Sequence, residues 1–263
     1  FFLGIKQMLK LAIPVLTMAL KHDVAIEEKW KKEQQELKKQ LIKKDDFKWS
    51  TADNTLKLVG GVDISFIKES AEDACASLVV LSYPDLKVVY EHCKMVKLVE
   101  PYIPSFLAFR EVDHVSKLVE ELKKKKPELV PQVIFVDGNG YLHPRGFGLA
   151  CHLGVLTGIP TIGVGKNLLY VDGLANDVIK PKFRAETNVK GDYVSLIGDS
   201  GECWGAAFKS ADNIKNPVYI SIGHKISLAT ACTLTTSVCN YRIPEPVRQA
   251  DLLSRKYIRE NCK

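Results

Sequence analysis

The chain has 263 residues and a formal net charge of +6. That length allows one sizeable α/β core, and its ordinary apolar and charged content excludes a disordered or fibrous chain. The seven cysteines are odd in number and show neither a CxxC pair nor zinc-type spacing. They read as reduced thiols rather than a disulfide framework or a structural zinc site. The mild basicity suits a polyanionic partner.

Residues 1–20 are largely apolar but carry Lys6, Lys10 and Pro14. The run is too broken for a membrane span and lacks the layout of a signal peptide. Met18 is a candidate start. We set residues 1–20 aside as an apolar N-terminal extension and expect residues 21–263 to form a single domain with no membrane partner.

From Asp23 to Lys44 the pattern predicts a helix, with Ile26, Trp30, Leu37 and Leu41 on one stripe among Lys, Glu and Gln. Three strand-like runs follow, Leu56–Ile67, Cys75–Ser82 and Val88–Leu98. In the first, Val62, Ile64 and Phe66 share one face while Asp63 and Ser65 share the other. Tyr83-Pro-Asp-Leu86 predicts a tight turn, so the three runs make an antiparallel meander. Ser105–Lys126 reads as a helix whose buried stripe is Phe106, Phe109, Val115, Leu118, Val119 and Leu122. Gln132–Val136 is a short apolar strand, Phe147–Thr157 a helix and Thr161–Val164 a second apolar strand, which together predict a parallel βαβ unit. Further strands are expected at Tyr193–Ile197, Cys203–Phe208 and Val218–Ile222, and helices at Ser227–Val238 and Pro246–Glu260. His224 falls in the turn leading into the first of these helices, which Ser227 caps. The order predicts an α/β fold with a mixed sheet flanked by helices.

Chemistry concentrates at a few polar positions. Asp137 ends the apolar run Val133–Val136 and is followed by Gly138-Asn-Gly140. In open α/β sheets ligands bind at the carboxyl ends of strands; as a residue alone, Asp137 fits either such a site or the cap of a turn. Asp63 interrupts an apolar strand, and fits either a solvent-facing position or a central strand presenting a carboxylate. Glu111 and Asp251 lie on predicted helices and taken singly read as surface charges. Together the four would form a hard oxygen site for Mg²⁺ or Mn²⁺, the ions that assist phosphodiester cleavage. No P-loop is present. Lys166, after Gly163-Val-Gly165, reads first as a surface loop charge and otherwise as part of an anion site, while His143, in Tyr141-Leu-His-Pro-Arg145, fits either an anion site or a loop position bonded to backbone.

In these segments the chain resembles the endonuclease V family, and its animal members more than its bacterial ones. The matching pieces are Val59-Gly-Gly-Val-Asp-Ile-Ser-Phe66, Pro101-Tyr-Ile-Pro104 with Phe109-Arg-Glu111, Val136-Asp-Gly-Asn-Gly140 with His143-Pro-Arg-Gly146, Gly163-Val-Gly-Lys166, Gly223-His-Lys-Ile-Ser227, and Arg242 through Asp251. They keep the family's order from about Trp30 onward, and nothing before Met18 matches. The resemblance implies a ribonuclease H-like fold and a Mg²⁺-dependent endonuclease, with Mn²⁺ as substitute. It would cut single-stranded RNA at the second phosphodiester 3′ to inosine, or, as the alternative, deaminated DNA in repair. It also implies Asp63 and Asp137 as principal metal ligands, Glu111 and Asp251 completing the cluster, His143 positioning the water or phosphate, and Lys166 contacting that phosphate. Pro101, Tyr102, Ile103 and Pro104 match the family's wedge, a loop stiffened by proline that presents a ring to the bases. The base pocket would be lined by Ser105, Leu107, Gly138, Gly165 and Leu169. Two positions depart from the pattern, Ser105 where many relatives have glycine and Gly165 where many have alanine. A non-catalytic inosine-RNA binding module is the reading from another class; it would lack a ligand, and all four acidic residues are present. The resemblance further implies a monomer in the cytoplasm or nucleus.

Overall fold

The computed structural model describes residues 24–68, 70 and 72–262. The expected N-terminal extension, residues 1–20, lies outside them. Helix α1 spans 24–38, shorter than the expected 23–44, because the chain turns at 39–40. Its stripe docks through Trp30, which stacks on Phe109 at 5.1 Å between ring centroids.

Strands β1 (Leu58–Phe66), β2 (Asp73–Ser82) and β3 (Val88–Lys97) form the expected antiparallel meander. The β2–β3 turn contains a cis Tyr83–Pro84 bond. Helix α2 (Leu107–Lys125) leads to β4 (Val133–Asp137), which pairs in parallel with β1. Helix α3 (Leu149–Thr157) then crosses over to β5 (Thr161–Gly165), parallel to β4. Helix α4 (Asn176–Glu186) follows, then β6 (Tyr193–Ile197), β7 (Cys203–Phe208), β8 (Val218–His224), α5 (Leu228–Ser237) and α6 (Glu245–Asn261). The eight strands lie in the order β3-β2-β1-β4-β5-β8-β7-β6. This mixed sheet flanked by helices is the expected ribonuclease H-like architecture. As anticipated, Ser227 caps α5 by accepting a bond from Thr230 N at 3.2 Å.

Helix α4 was not expected. Its apolar signal is only Ile179 and Phe183, with Pro181 inside the helix. Packing of those two residues against Val194, Leu196 and Tyr219 stabilises it, a tertiary effect that overrides weak local propensity.

The sheet's two faces are buried differently, and that difference builds the site. On one face Val62 and Ile134 pack against Val115, Leu118 and Val119 of α2 and Leu153 of α3. On the other, Val59, Val133 and Phe135 pack under α5 and α6. Side chains alternate along a strand, so the β1 residues that share Val59's face, namely Gly61, Asp63 and Ser65, are the ones that meet α6. Gly61 is required there: a Cβ at this position would stand 1.9 Å from the Pro246 carbonyl oxygen. Ser77 of β2 ties the same helix down by donating to the Ala250 carbonyl at 2.9 Å.

Candidate active site

Asp63 lies near the carboxyl end of β1 and is only 7% exposed. Asp137 is the last residue of β4, the strand beside it. Asp251 comes from α6, whose close approach over Gly61 brings it alongside. One carboxylate oxygen from each of the three lies within 4.8 Å of the others. Two hydroxyls hold Asp63 in place, Ser65 Oγ at 3.1 Å and Ser254 Oγ at 3.0 Å from its Oδ2. Ser254 lies one turn beyond Asp251 on α6, so a single side chain links the strand carboxylate to the helix that carries its neighbour.

Glu111 approaches from α2 and is 5% exposed. It lines the same cleft as Asp63 and Asp137 but stands outside the group of three whose oxygens converge. Lys166, one residue beyond β5, places its Nζ 2.5 Å from Asp137 Oδ2. Arg255 engages Asp251 Oδ1 through Nε at 3.0 Å and Nη2 at 2.9 Å.

The electrostatics follow from this crowding. Burial, then a hydrogen bond and repulsion from Asp137 and repulsion from Asp251, lift the Asp63 carboxyl to about 7. Burial, with Asp63 and Asp137 nearby, lifts Glu111 to about 8. Burial works against charge on Lys166, yet the surrounding carboxylates, Asp137 first, hold its pKa above the usual lysine value. Like charges that resist ionising together are what a hard cation relieves. The donors are all carboxylate oxygens, with no thiol or imidazole among the three, which suits a hard divalent ion.

Beside the cluster opens a cleft of about 390 Å³, within the range of about 300–1,000 Å³ common for ligand pockets. Of the residues expected to bind substrate, Tyr102, Ser105, Leu107, Gly138 and Leu169 line it. Pro101, Ile103 and Pro104 flank Tyr102 without lining the cleft, and Tyr102 itself is 66% exposed. Gly165 does not reach the wall. It is buried beneath Asn139, whose Oδ1 would lie 2.6 Å from a Cβ at position 165. The asparagine carbonyl occupies the volume that an alanine methyl would take.

His143 also lines this cleft, but both ring nitrogens are engaged. Nε2 lies 2.8 Å from the Ser105 carbonyl oxygen, and Nδ1 is 3.2 Å from Arg145 N, a geometry in which Nε2 donates and Nδ1 accepts. Burial pushes the imidazole down to about 4, so it is neutral near pH 7. Arg145 donates to the same Ser105 oxygen at 2.6 Å and lies 3.8 Å over the Phe106 ring. The motif His143-Pro-Arg145 therefore clamps the end of the Pro101–Pro104 loop, a geometry better suited to fixing that loop than to orienting a water. Ser65, Ser254 and Arg145 were not singled out as site residues from sequence. Serines carry no distinguishing pattern, and the arginine reads as a loop charge until its partner at Ser105 is known.

Comparison with known proteins points to one family. The family model for endonuclease V matches residues 35–252. Human endonuclease V is 53% identical over 235 residues, covering 88% of this chain and 83% of its own. The crystal structure of the human catalytic domain superposes with a TM-score of 0.88 at 50% identity, covering 90% of this chain and 97% of its own. Endonuclease V of Ciona intestinalis, solved with a 23mer DNA containing an inosine followed by a ribo-adenosine, gives a TM-score of 0.83 at 38% identity, covering 90% and 98%. A ribonuclease H-like sheet carrying a carboxylate cluster at the carboxyl ends of two central strands places the chain among the nucleases, hydrolases of phosphodiester bonds. More narrowly, the chain belongs to the endonuclease V family.

Among the described residues, no helix is long and apolar enough to cross a membrane.

Proposed function

We propose that this protein is a metal-dependent endoribonuclease that cuts single-stranded RNA at the second phosphodiester 3′ to inosine. The observation that carries the reading is the convergence of Asp63, Asp137 and Asp251 beside a cleft whose rim bears the exposed Tyr102.

Asp63, Asp137 and Asp251 would hold the cation, Mg²⁺ or in its place Mn²⁺, with Glu111 behind them. Such an ion, when bound, activates water and offsets charge on the leaving oxygen. The protein's own groups do the rest. Ser65 and Ser254 fix the orientation of Asp63, and Lys166 presents an ammonium to the reacting phosphate while paired to Asp137. Tyr102 stacks against the strand and separates neighbouring bases. The displaced inosine enters the cleft formed by Ser105, Leu107, Gly138 and Leu169, which is largely apolar. His143 and Arg145 keep the Ser105 end of the wedge rigid, and a positioned loop loses less entropy on binding. The protein acts as a monomer in the cytoplasm or nucleus, a setting with which seven free cysteines agree.

Preference for RNA has one external support, the ribo-adenosine next to inosine in the strand bound by the Ciona relative. The rest of that strand is DNA, which favours the second reading, cleavage of deaminated DNA. Matched single strands of RNA and DNA containing one inosine, incubated in Mg²⁺, decide between them. Faster cutting of the RNA is expected; faster cutting of the DNA would overturn the RNA assignment.

Tyr102→Ala is expected to weaken strand binding by about 1–3 kcal/mol, the range for a base stacked on an aromatic ring. The ring is exposed and contributes little to the core, so the melting temperature should hold. Equal affinity of variant and wild type in a fluorescence titration would remove the wedge from the mechanism.

A further inference from the structure

A second cleft, of about 650 Å³, opens on the other side of the carboxylates. It shares Asp63, Ile64, Phe66 and Asp137 with the first, so the two meet at the acidic cluster. Their linings differ in charge. The first contains no lysine or arginine. The second carries Lys68, Lys166, Arg255 and Arg259. Three of these are not part of the roles assigned above. Arg255 and Arg259 sit one turn apart on α6, continuing the helix face that begins with Asp251, and Ile258 between them adds an apolar floor. From Asp251 to Arg259 this face runs about 12 Å at the rise of an α-helix. Among the described residues no carboxylate is paired with Arg259 or Lys68. The arrangement suits a chain of phosphates leaving the cluster, since a cationic groove that tracks a backbone is how single strands are held without reading sequence.

We propose that the cleft lined by Lys68, Arg255, Ile258 and Arg259 holds the substrate strand on the 3′ side of the cleaved bond. This rests on the reading above, in which the inosine base fills the first cleft, which bears no lysine or arginine, and the cut falls 3′ to it. The strand beyond the cut then leaves through the cationic cleft. Lys68 and Arg259 act as phosphate-positioning residues and touch no reacting atom.

The experiment uses single strands with one inosine and a fixed 5′ arm, ending either one or about six nucleotides beyond the cut. KM and kcat are measured in Mg²⁺, and affinity by fluorescence anisotropy in Ca²⁺. Wild type is expected to favour the longer 3′ arm by about tenfold in affinity and KM. In Lys68→Glu/Arg259→Glu that preference disappears, kcat on the short strand is retained, and the slope of log affinity against log salt falls by about 1.4, the loss of two phosphate contacts to a single strand. Both side chains are exposed, and thermal melting reports on folding. A double variant that keeps the full preference for the longer 3′ arm would overturn the proposal, as would a dependence on 5′ length instead. If wild type cut no inosine strand, the inosine reading would fall by itself, and the 3′-arm dependence of binding would still decide the cleft.

Discussion

Asp63→Asn is expected to slow cleavage by about 10³-fold, equivalent to about 4 kcal/mol of transition-state stabilisation, while making the metal-free protein more heat-stable at pH 8. Both effects come from the same crowding. Asp63 and Glu111 have folded-state pKa values of about 7 and about 8, against ordinary values of 3.8 and 4.5. Without a cation, folding therefore keeps protons on these groups at pH values where the unfolded chain has already released them. Where the folded state binds more protons, stability falls as pH rises. The stabilising contribution is complete below about pH 4 and is lost as pH climbs through 7 to 8. An asparagine at position 63 removes one charge from the cluster and can donate its amide to Asp137, while Ser65 and Ser254 still have an oxygen to bond. Melting curves in EDTA from pH 5 to pH 8 should fall steeply for wild type and less for the variant. Added Mg²⁺ should raise the wild-type melting temperature more than the variant's, because a ligand stabilises the state that binds it. A variant less stable than wild type in EDTA at pH 8, or one cutting within tenfold of wild type, would contradict this account of the cluster.

The reason Asp63 was visible in the sequence is specific. A carboxylate in Val59–Phe66, opposite Val62 and Ile64 and next to strands apolar on both faces, implies a central strand, and β1 does lie between β2 and β4. Asp137 was visible for a related reason, as the acidic end of a run that has no polar face. Asp251 was different. On its own helix it looks like one charge among several, and only the family resemblance drew attention to it. Its partners are created by folding: α6 carries Asp251 and Ser254 onto β1 from the far end of the chain. Local periodicity predicts such a helix but says nothing of which strand it will cross.

The same limit explains the readings that changed. His143 fitted either an anion site or an ordinary loop, and only the family resemblance gave it the task of positioning the water or phosphate. In the fold its Nε2 meets the Ser105 carbonyl, a partner 38 residues earlier in the chain. Gly165 was placed in the base-pocket lining by the family resemblance, but in the fold it lies under Asn139. Helix α4 was missed because Pro181 and a two-residue apolar stripe argue against a helix until β6 supplies a surface for it.

Gly61→Ala is expected to be among the most destabilising single-methyl changes in the protein. The added Cβ would stand 1.9 Å from the Pro246 carbonyl oxygen and 2.2 Å from its carbonyl carbon. Those are backbone atoms at the start of α6, with no rotamer to move aside. Overpacking typically costs about 1–3 kcal/mol, and more where backbone must shift; at about 3 kcal/mol the melting temperature of a chain of this size drops by roughly 6–12 °C. Gly60→Ala makes the natural control. Its Cβ would point to the other face and meet Pro131 Cγ at 2.8 Å, Pro131 Cβ at 3.1 Å and Ile134 Cγ1 at 3.2 Å; the proline ring must shift, but the overlap is about 0.9 Å smaller than at Gly61 and involves no backbone carbonyl, so a smaller loss is expected. Activity should separate the two as well. Raising α6 off β1 draws Asp251 and Ser254 away from Asp63, so Gly61→Ala should lose cleavage at temperatures where it remains folded, and Gly60→Ala should not. Equal melting temperatures and equal rates for the two variants would mean that α6 does not seat on β1 through Gly61, and the convergence of Asp251 with the strand carboxylates would lose its physical basis.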